Sequence, residues 1–409
     1  MLFLNVLRHR HLALLWGSQV LSAMGDYFYQ IAVVWIAVKV AGSSGSIVIA
    51  AEVGSAFCCG LLGGVYADRW NRRTTMIVVD LLRALAVGML PWLAQWGTLQ
   101  LWYLVLVAIV VGGLSALFNP ALQASLPALA GDPRLLQATN GLMDTTRRLA
   151  RALSPSLAGL LVLFIPLAHF LTLDAVSFLI SALAIFFIGS AFAWQPDPGK
   201  LTMRGVSGII GDLAQSFSLV RGHPELRWTL LSMGIIDLAW SAAFVIGVPL
   251  FADQVLKSGV GTYGLIVGAY GTVNVLSNIV VSHLIIKRRM RTIMLGKLII
   301  GGGFLLMVAT PYLPLILFSS ALASIGGPMG DIPYTMMIQM DIPSHHLGKV
   351  YSLDQAVSNT GGMLGLLLAA PLYQWMSVPL GIACFSLLFV VIGIAGLLRF
   401  RATKPAIYL

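Results

Sequence analysis

Asp26, Glu52 and Asp237 each stand in an apolar stretch long enough to cross a bilayer, with no basic residue within a helical turn on the same stretch. A charged side chain at the membrane centre costs at least ~2.5–3.5 kcal/mol, so each carboxyl needs a reason to be there. In an apolar medium a carboxyl gives up its proton less readily than in water, which suits it to exchanging protons near neutral pH. The competing reading is a structural carboxyl, protonated or hydrogen-bonded, and both readings stand for all three residues. Aromatic and thioether side chains accompany these acids: Tyr27 and Tyr29 after Asp26, Trp240 and Phe244 after Asp237, and Tyr334, Met336 and Met337 further on. They offer an adaptable wall to a small-molecule cavity, or else pack against lipid.

The remaining candidates have plainer explanations. Asp80 and Arg83, like Asp144 and Arg147, are three apart, which suffices for ion pairs within a helix near the cytoplasmic face. Asp174, near the outer end of its stretch, is expected to cap or bond a neighbour. The run Gly326-Gly327-Pro328-Met329-Gly330-Asp331-Ile332-Pro333 is expected to break its helix, as a gate hinge or a mere kink. Cys58, Cys59 and Cys384 lack metal-ligand spacing and read as small core residues. No P-loop and no H-E-x-x-H sequence occurs, and His345-His346 beside Pro343 does not make a metal site. No enzymatic activity, cofactor or metal is expected.

Composition dictates the elements that must position these groups. Of 409 residues, 58% are hydrophobic and 10% charged, well below the ~25% charged residues of soluble domains. Apolar runs divide into twelve candidate spans, roughly 12–39, 46–67, 75–95, 101–122, 139–165, 168–193, 227–252, 261–286, 292–312, 314–338, 350–373 and 378–398. Of the 25 Lys and Arg residues, 23 fall on the side of the even connections and the termini, leaving Lys39 and Lys257 opposite. That asymmetry places both termini in the cytoplasm. A net charge of +10 therefore reflects orientation in a bilayer, and no nucleic-acid partner is expected. Residues 194–226 form the longest polar connection, with Ile209, Ile210, Leu213, Phe217 and Val220 at helical spacing, as in an interfacial amphipathic helix. It separates two six-span halves, 1–193 and 227–409. The halves echo each other weakly: Asp26 and Asp237 are 211 positions apart.

Two stretches carry a family resemblance. The connection after the second span reads Gly64-Val65-Tyr66-Ala67-Asp68-Arg69-Trp70-Asn71-Arg72-Arg73. It resembles the loop signature of the major facilitator superfamily, G-x-x-x-D-R-x-G-R-R, with Asn71 in place of the second Gly. Asn tolerates positive φ, so a tight turn is expected to survive the replacement. Gly64, Asp68, Arg69, Arg72 and Arg73 then make a conformational latch, the carboxylate pairing with arginine or with a helix N-terminus. The plainer alternative is a basic cluster that only sets topology. In the fifth span, Ala150 to Gly159 resembles the superfamily's antiporter signature, with Ser154, Pro155 and Gly159 as its small and bending residues.

Leu15-Trp16-Gly17-Ser18-Gln19 with Gly25-Asp26, Leu173 to Phe178, and Val220 to Leu226 are similar to the branch of macrolide-efflux proteins and the enterobactin exporter. The fourth span, however, has no Arg, where many drug–proton antiporters of the superfamily carry one. The resemblance implies an all-α polytopic membrane protein of two pseudo-symmetric six-helix bundles. The cavity would be lined from spans one, two, four, five, seven, eight, ten and eleven. It implies a monomeric secondary transporter of the bacterial inner membrane, exporting an amphipathic small molecule (drug, macrolide or siderophore-like) in exchange for protons by alternating access. Uptake or flipping of a lipid-like cargo on the same fold is the alternative, and a non-transporting receptor or scaffold a remote one. Scarce fixed charge in the spans favours export over carriage of sugar or phosphate.

Overall fold

The computed structural model describes residues 6–66, 71–97, 99–189, 216–343 and 346–400. Asp68, Arg69, Ile209, Ile210, Leu213 and His345 lie outside that set, as do the side chains of Asp144, Arg147, Arg151 and Pro155. The described chain is helical, without strands. α1 (Arg10–Ala41) passes through a 3₁₀ turn (Gly42–Gly45) into α2 (Ser46–Tyr66), followed by α3 (Arg72–Gln95), α4 (Leu101–Ala130), α5 (Pro133–Leu161) and α6 (Leu167–Ile188). After the polar connection come α7 (Pro224–Val255, with π-helical turns at Ser241–Gly247 and Phe251–Val255), α8 (Val260–His283), α9 (Arg289–Met307), α10 (Leu313–Asp341), α11 (Leu347–Trp375) and α12 (Val378–Arg399).

Nine stretches among the described residues are long and apolar enough to cross a membrane, α1 and α2 counting as one continuous stretch. α5 and α11 are not among them; both are 29 residues long, but α5 carries Arg134, Asp144, Arg147, Arg148 and Arg151. Their side-chain distribution suits lipid. Leu85, Phe187, Leu160, Val280 and Val391 are more than half exposed, whereas Ser181, Ser319, Ser320, Ser324 and Ser386 are fully buried. Lipid is as apolar as Leu, so helices associate through close packing and internal hydrogen bonds instead.

The chain forms two compact units. The first holds residues 1–40, 48–154 and 161–204; the second holds 41–47, 155–160 and 205–409. The same helix pairs recur in each. α3 packs on α4 and α6 in the first, and α9 packs on α10 and α12 in the second. Close backbone approach is what Gly permits at such crossings. A Cβ on Gly361 or Gly365 of α11 would run into the backbone of Gly234 or Leu238 on α7.

Three local expectations need correction. Asn71 has φ −63° and ψ 110°, and it is the N-cap of α3, its side chain accepting a 3.2 Å hydrogen bond from the Thr74 amide. Asn succeeds there as a cap, not through left-handed backbone. α10 is continuous through Pro328 and Pro333. Gly326 lets α10 lie directly on the Gly296 carbonyl of α9, so tertiary packing holds the helix where each proline removes one donor. Cys58 and Cys384 are exposed and Cys59 is half-buried, so none of the three is a fully buried core residue.

Candidate functional site

The first unit encloses a cavity of about 430 Å³ lined from α1 to α5. Helical spacing on α1 sends Gln19, Ser22, Asp26 and Gln30 into it, joined by Tyr27 and Tyr29; α2 adds Glu52, α3 adds Arg83, and α4 adds Ser115, Phe118 and Asn119. The polar groups are layered. Asp26 is open to the cavity, Glu52 is half-buried, and Asp80 and Asp174 are completely sealed behind them.

Arg83 organises this layer. It is 5% exposed, 3.7 Å from Asp80, and its guanidinium lies over the rings of Phe118 (5.3 Å) and Phe178 (5.2 Å). Asp26, Glu52 and Asp174 all lie within its electrostatic reach. Asp174 is wedged against α1: a Cβ on Gly25 would come within 2.6 Å of both Asp174 Oδ1 and Ser177 Oγ. Ser177 donates to the Asp174 carbonyl at 2.8 Å, with its carboxyl oxygen 3.4 Å away. The Tyr29 hydroxyl, both Asp80 oxygens and Asp174 Oδ2 are buried without a hydrogen-bond partner among the described residues.

This arrangement corrects the sequence reading of Asp80 and Arg83. The pair exists, but it sits in the interior of the unit, not at a membrane face. Asp174 does bond a neighbour, as expected, but fully buried and facing Asp26's helix. The cavity wall is also more polar than an apolar, aromatic lining, with Gln19, Gln30, Asn119, Gln123 and Arg83 in it. Tyr27 and Tyr29 do line it.

The second unit repeats the theme with other residues. Lys297 of α9 is 3% exposed and donates to Ser232 of α7 at 2.6 Å. Half-buried Asp237, five residues further along α7, and Asp331 of α10 lie within its electrostatic reach. Sequence reasoning assigned Lys297 to the cytoplasmic basic set; the structure buries it. The available signal was the repeat itself, since Lys297 follows Arg83 by 214 positions and Asp237 follows Asp26 by 211.

Trp240 stacks on Phe244 (4.4 Å, 22°), and both contact Tyr270 and Phe304. Tyr334 and Met337 do not join this aromatic group. They are buried in an apolar cluster with Leu226, Ile293 and Val350, and the Tyr334 hydroxyl donates to Asp354 at 2.7 Å. Met336 is half-buried beside them in sequence.

Of the residues expected to form a latch, Arg72 donates to the Ala124 carbonyl (2.6 Å) and Arg73 to that of Phe186 (2.9 Å), tying the start of α3 to α4 and α6. Gly64 lies in the last turn of α2. In α5, Ser154 is buried with its hydroxyl unpaired among the described residues, Pro155 sits inside the unbroken helix, and Gly159 is buried.

Comparison with known proteins agrees with this architecture. The chain is 26% identical over 403 residues to the multidrug efflux pump Tap of Mycolicibacterium fortuitum, covering 94% of this chain and 96% of that one. It is 22% identical to macrolide efflux protein A of Streptococcus pyogenes, over 87% of each. Among solved structures, an inward-facing bacterial homologue of the iron transporter ferroportin superposes with a TM-score of 0.71 at 15% identity, covering 95% of this chain and 98% of that one. A bacterial homologue of the lysosomal transporter Spinster gives 0.67 at 11% identity, over 96% of each. The sequence model of the Major Facilitator Superfamily matches residues 15–366 and 229–407, and the chain belongs to that family of membrane transporters.

Proposed function

We propose that this protein is a proton-coupled exporter of an amphipathic small molecule in the bacterial inner membrane, working by alternating access. The observation that carries this reading is the charge balance beside the cavity. Four carboxyls, Asp26, Glu52, Asp80 and Asp174, face one guanidinium, Arg83, among the described residues. With all four ionised the cluster would hold three uncompensated negative charges, each at a cost of several kcal/mol in a membrane interior. Protons or a cationic cargo group supply the balance, and competition between them for the open carboxyls Asp26 and Glu52 couples the two. Drug and macrolide efflux in the named relatives supports outward transport of a cargo of this size and character.

Orientation follows from the basic residues. With Arg83 and Lys297 removed from the count as buried, 21 of the 23 remain on one side against two on the other. This still favours cytoplasmic termini. Twelve crossings, two six-helix bundles and a monomer are part of the same proposal. The amides Gln19, Gln30, Asn119 and Gln123 favour a second reading, uptake of a more polar solute by proton symport. Efflux of a compound panel from cells lacking other pumps separates the two. Export predicts lower accumulation of some cationic amphiphile on expression, abolished by collapsing the pH gradient; raised accumulation of a polar solute would establish uptake.

A further inference from the structure

A second depression lies far along the chain from the carboxyl cluster, at the end of the second unit where α9 begins and α12 finishes. It is a groove of about 320 Å³ lined by Arg288, Met290, Arg291, Leu295, Gly396, Leu397 and Phe400. Both arginines are exposed, and among the described residues neither has a carboxylate partner. Their neighbour Arg289 is already committed to Asp341 at 3.4 Å. Arg399 adds a third cation at the edge, its guanidinium over the rings of Trp228 (5.3 Å) and Phe400 (5.8 Å).

Behind Gly396, beneath the groove's lining, lies a buried indole. Trp228 Nε1 is buried without a hydrogen-bond acceptor among the described residues. It lies at Gly396, where a Cβ would come within 3.1 Å of it. An indole N–H is a donor only, so this atom and the arginines present donors without acceptors.

The other end of the groove is apolar. Met290, Leu295, Leu397 and Phe400 make up its apolar lining, and Leu295 is exposed. Since α9 and α12 are both long and apolar enough to cross a membrane, Arg288 and Arg399 at their ends stand at a bilayer surface, and Leu295, further along α9, stands in the hydrocarbon. A cationic pocket at headgroup depth that opens onto an apolar strip matches one class of molecule in both parts.

We propose that this groove binds an anionic phospholipid. Its phosphate is held by Arg288 and Arg291, with Arg399 as a further donor at the edge, and an acyl chain lies along Leu295 and Leu397. Basic pockets between helices at a membrane face are known to suit such headgroups, which add charge-assisted hydrogen bonds to the general attraction of an anionic surface.

The test uses the full chain purified in detergent, with lipid adducts counted by native mass spectrometry and thermal unfolding followed in parallel. Phosphatidylglycerol is expected to remain bound and raise the unfolding midpoint, while phosphatidylcholine does neither. The Arg288→Gln/Arg291→Gln variant is expected to bind phosphatidylglycerol about thirty-fold more weakly, the loss due to two basic residues at a membrane surface. Arg288→Lys/Arg291→Lys is expected to keep most of the binding. Arg8→Gln/Arg10→Gln, which removes two exposed charges elsewhere, is expected to match wild type. Equal binding of phosphatidylcholine, or unchanged phosphatidylglycerol binding in Arg288→Gln/Arg291→Gln, overturns the proposal. So does competition by millimolar inorganic phosphate, which would make this a site for a soluble anion.

Discussion

Lys297 of α9 donates a 2.6 Å hydrogen bond to Ser232 of α7, five residues before Asp237, and so sets a buried ammonium within electrostatic reach of a membrane carboxyl. Arg83 of α3 stands in the same relation to Asp26 of α1, 214 and 211 positions earlier. Each unit thus carries a cation on its third helix facing an acid on its first. The repeat is chemical as well as topological, because a buried charge needs a partner wherever the helix pairing brings one within reach.

Removing one partner of such a pair should cost more than removing both. Lys297→Met and Asp237→Asn are each expected to lower the unfolding midpoint in detergent and to reduce transport at least tenfold. The double variant is expected to be more stable than the two single losses predict, by about 0.5–3 kcal/mol, the usual range for coupled neighbours. Strictly additive losses would mean that Lys297 answers to Ser232 alone.

Gly25 tests whether Asp174 is wedged as tightly as its geometry implies. Gly25→Ala places a methyl within 2.6 Å of both the Asp174 carboxyl and the Ser177 hydroxyl, so a destabilisation of about 1–3 kcal/mol is expected. Gly88→Ala, whose Cβ would meet Ala175 at an ordinary 3.6 Å, is the matched control and should change stability little. Equal behaviour of the two variants would show that α1 and α6 have room to give.

Much of the helix pattern was legible because membrane crossing imposes length and hydropathy together. The expected spans 75–95 and 378–398 match α3 (Arg72–Gln95) and α12 (Val378–Arg399) within a few residues. The site was only half legible. Asp26, Glu52 and the two tyrosines announce themselves as polar groups in apolar runs. Arg83 did not, because near a basic loop it reads as one more cytoplasmic charge. It lies eight residues inside the span 75–95, and from Arg72 it is about 16 Å along the helix at 1.5 Å per residue, too deep for a membrane face. Tyr334 and Met337 were misleading for the opposite reason: their types suit a cavity wall, but helix phase buries them among Leu226, Ile293 and Val350.

The connection before α3 separates a latch from a topology signal. Arg72 and Arg73 already bond main-chain carbonyls of α4 and α6, so their removal should loosen packing as well as any latch. Asp68→Asn is the cleaner change, since it removes charge alone. It is expected to leave protein levels near normal and cut transport about tenfold or more. Unchanged transport at equal expression would reduce the segment to a positive-inside signal.

The proposed proton coupling is tested most directly at Asp26. It is the most open of the four carboxyls and lines the cavity, while Asp80 and Asp174 are sealed. If it carries the exchanged proton, Asp26→Asn fixes the neutral form. Substrate should bind more weakly but still measurably, through Glu52 and the neighbouring amides and tyrosines, and exchange of substrate for substrate should persist, since it moves no net proton. Accumulation against a concentration gradient, driven by an imposed pH gradient, should fall to the level of protein-free vesicles. The sign is set by antiport: acidifying the compartment that receives the cargo drives uptake into it in the wild type, and the variant should be indifferent. Reconstituted vesicles with wild type, Asp26→Asn and Glu52→Gln decide the matter. Full gradient-driven accumulation by Asp26→Asn together with its loss in Glu52→Gln would transfer the role to Glu52, which shares the cavity from α2. Collapse of exchange along with accumulation would instead make Asp26 a structural partner of Arg83.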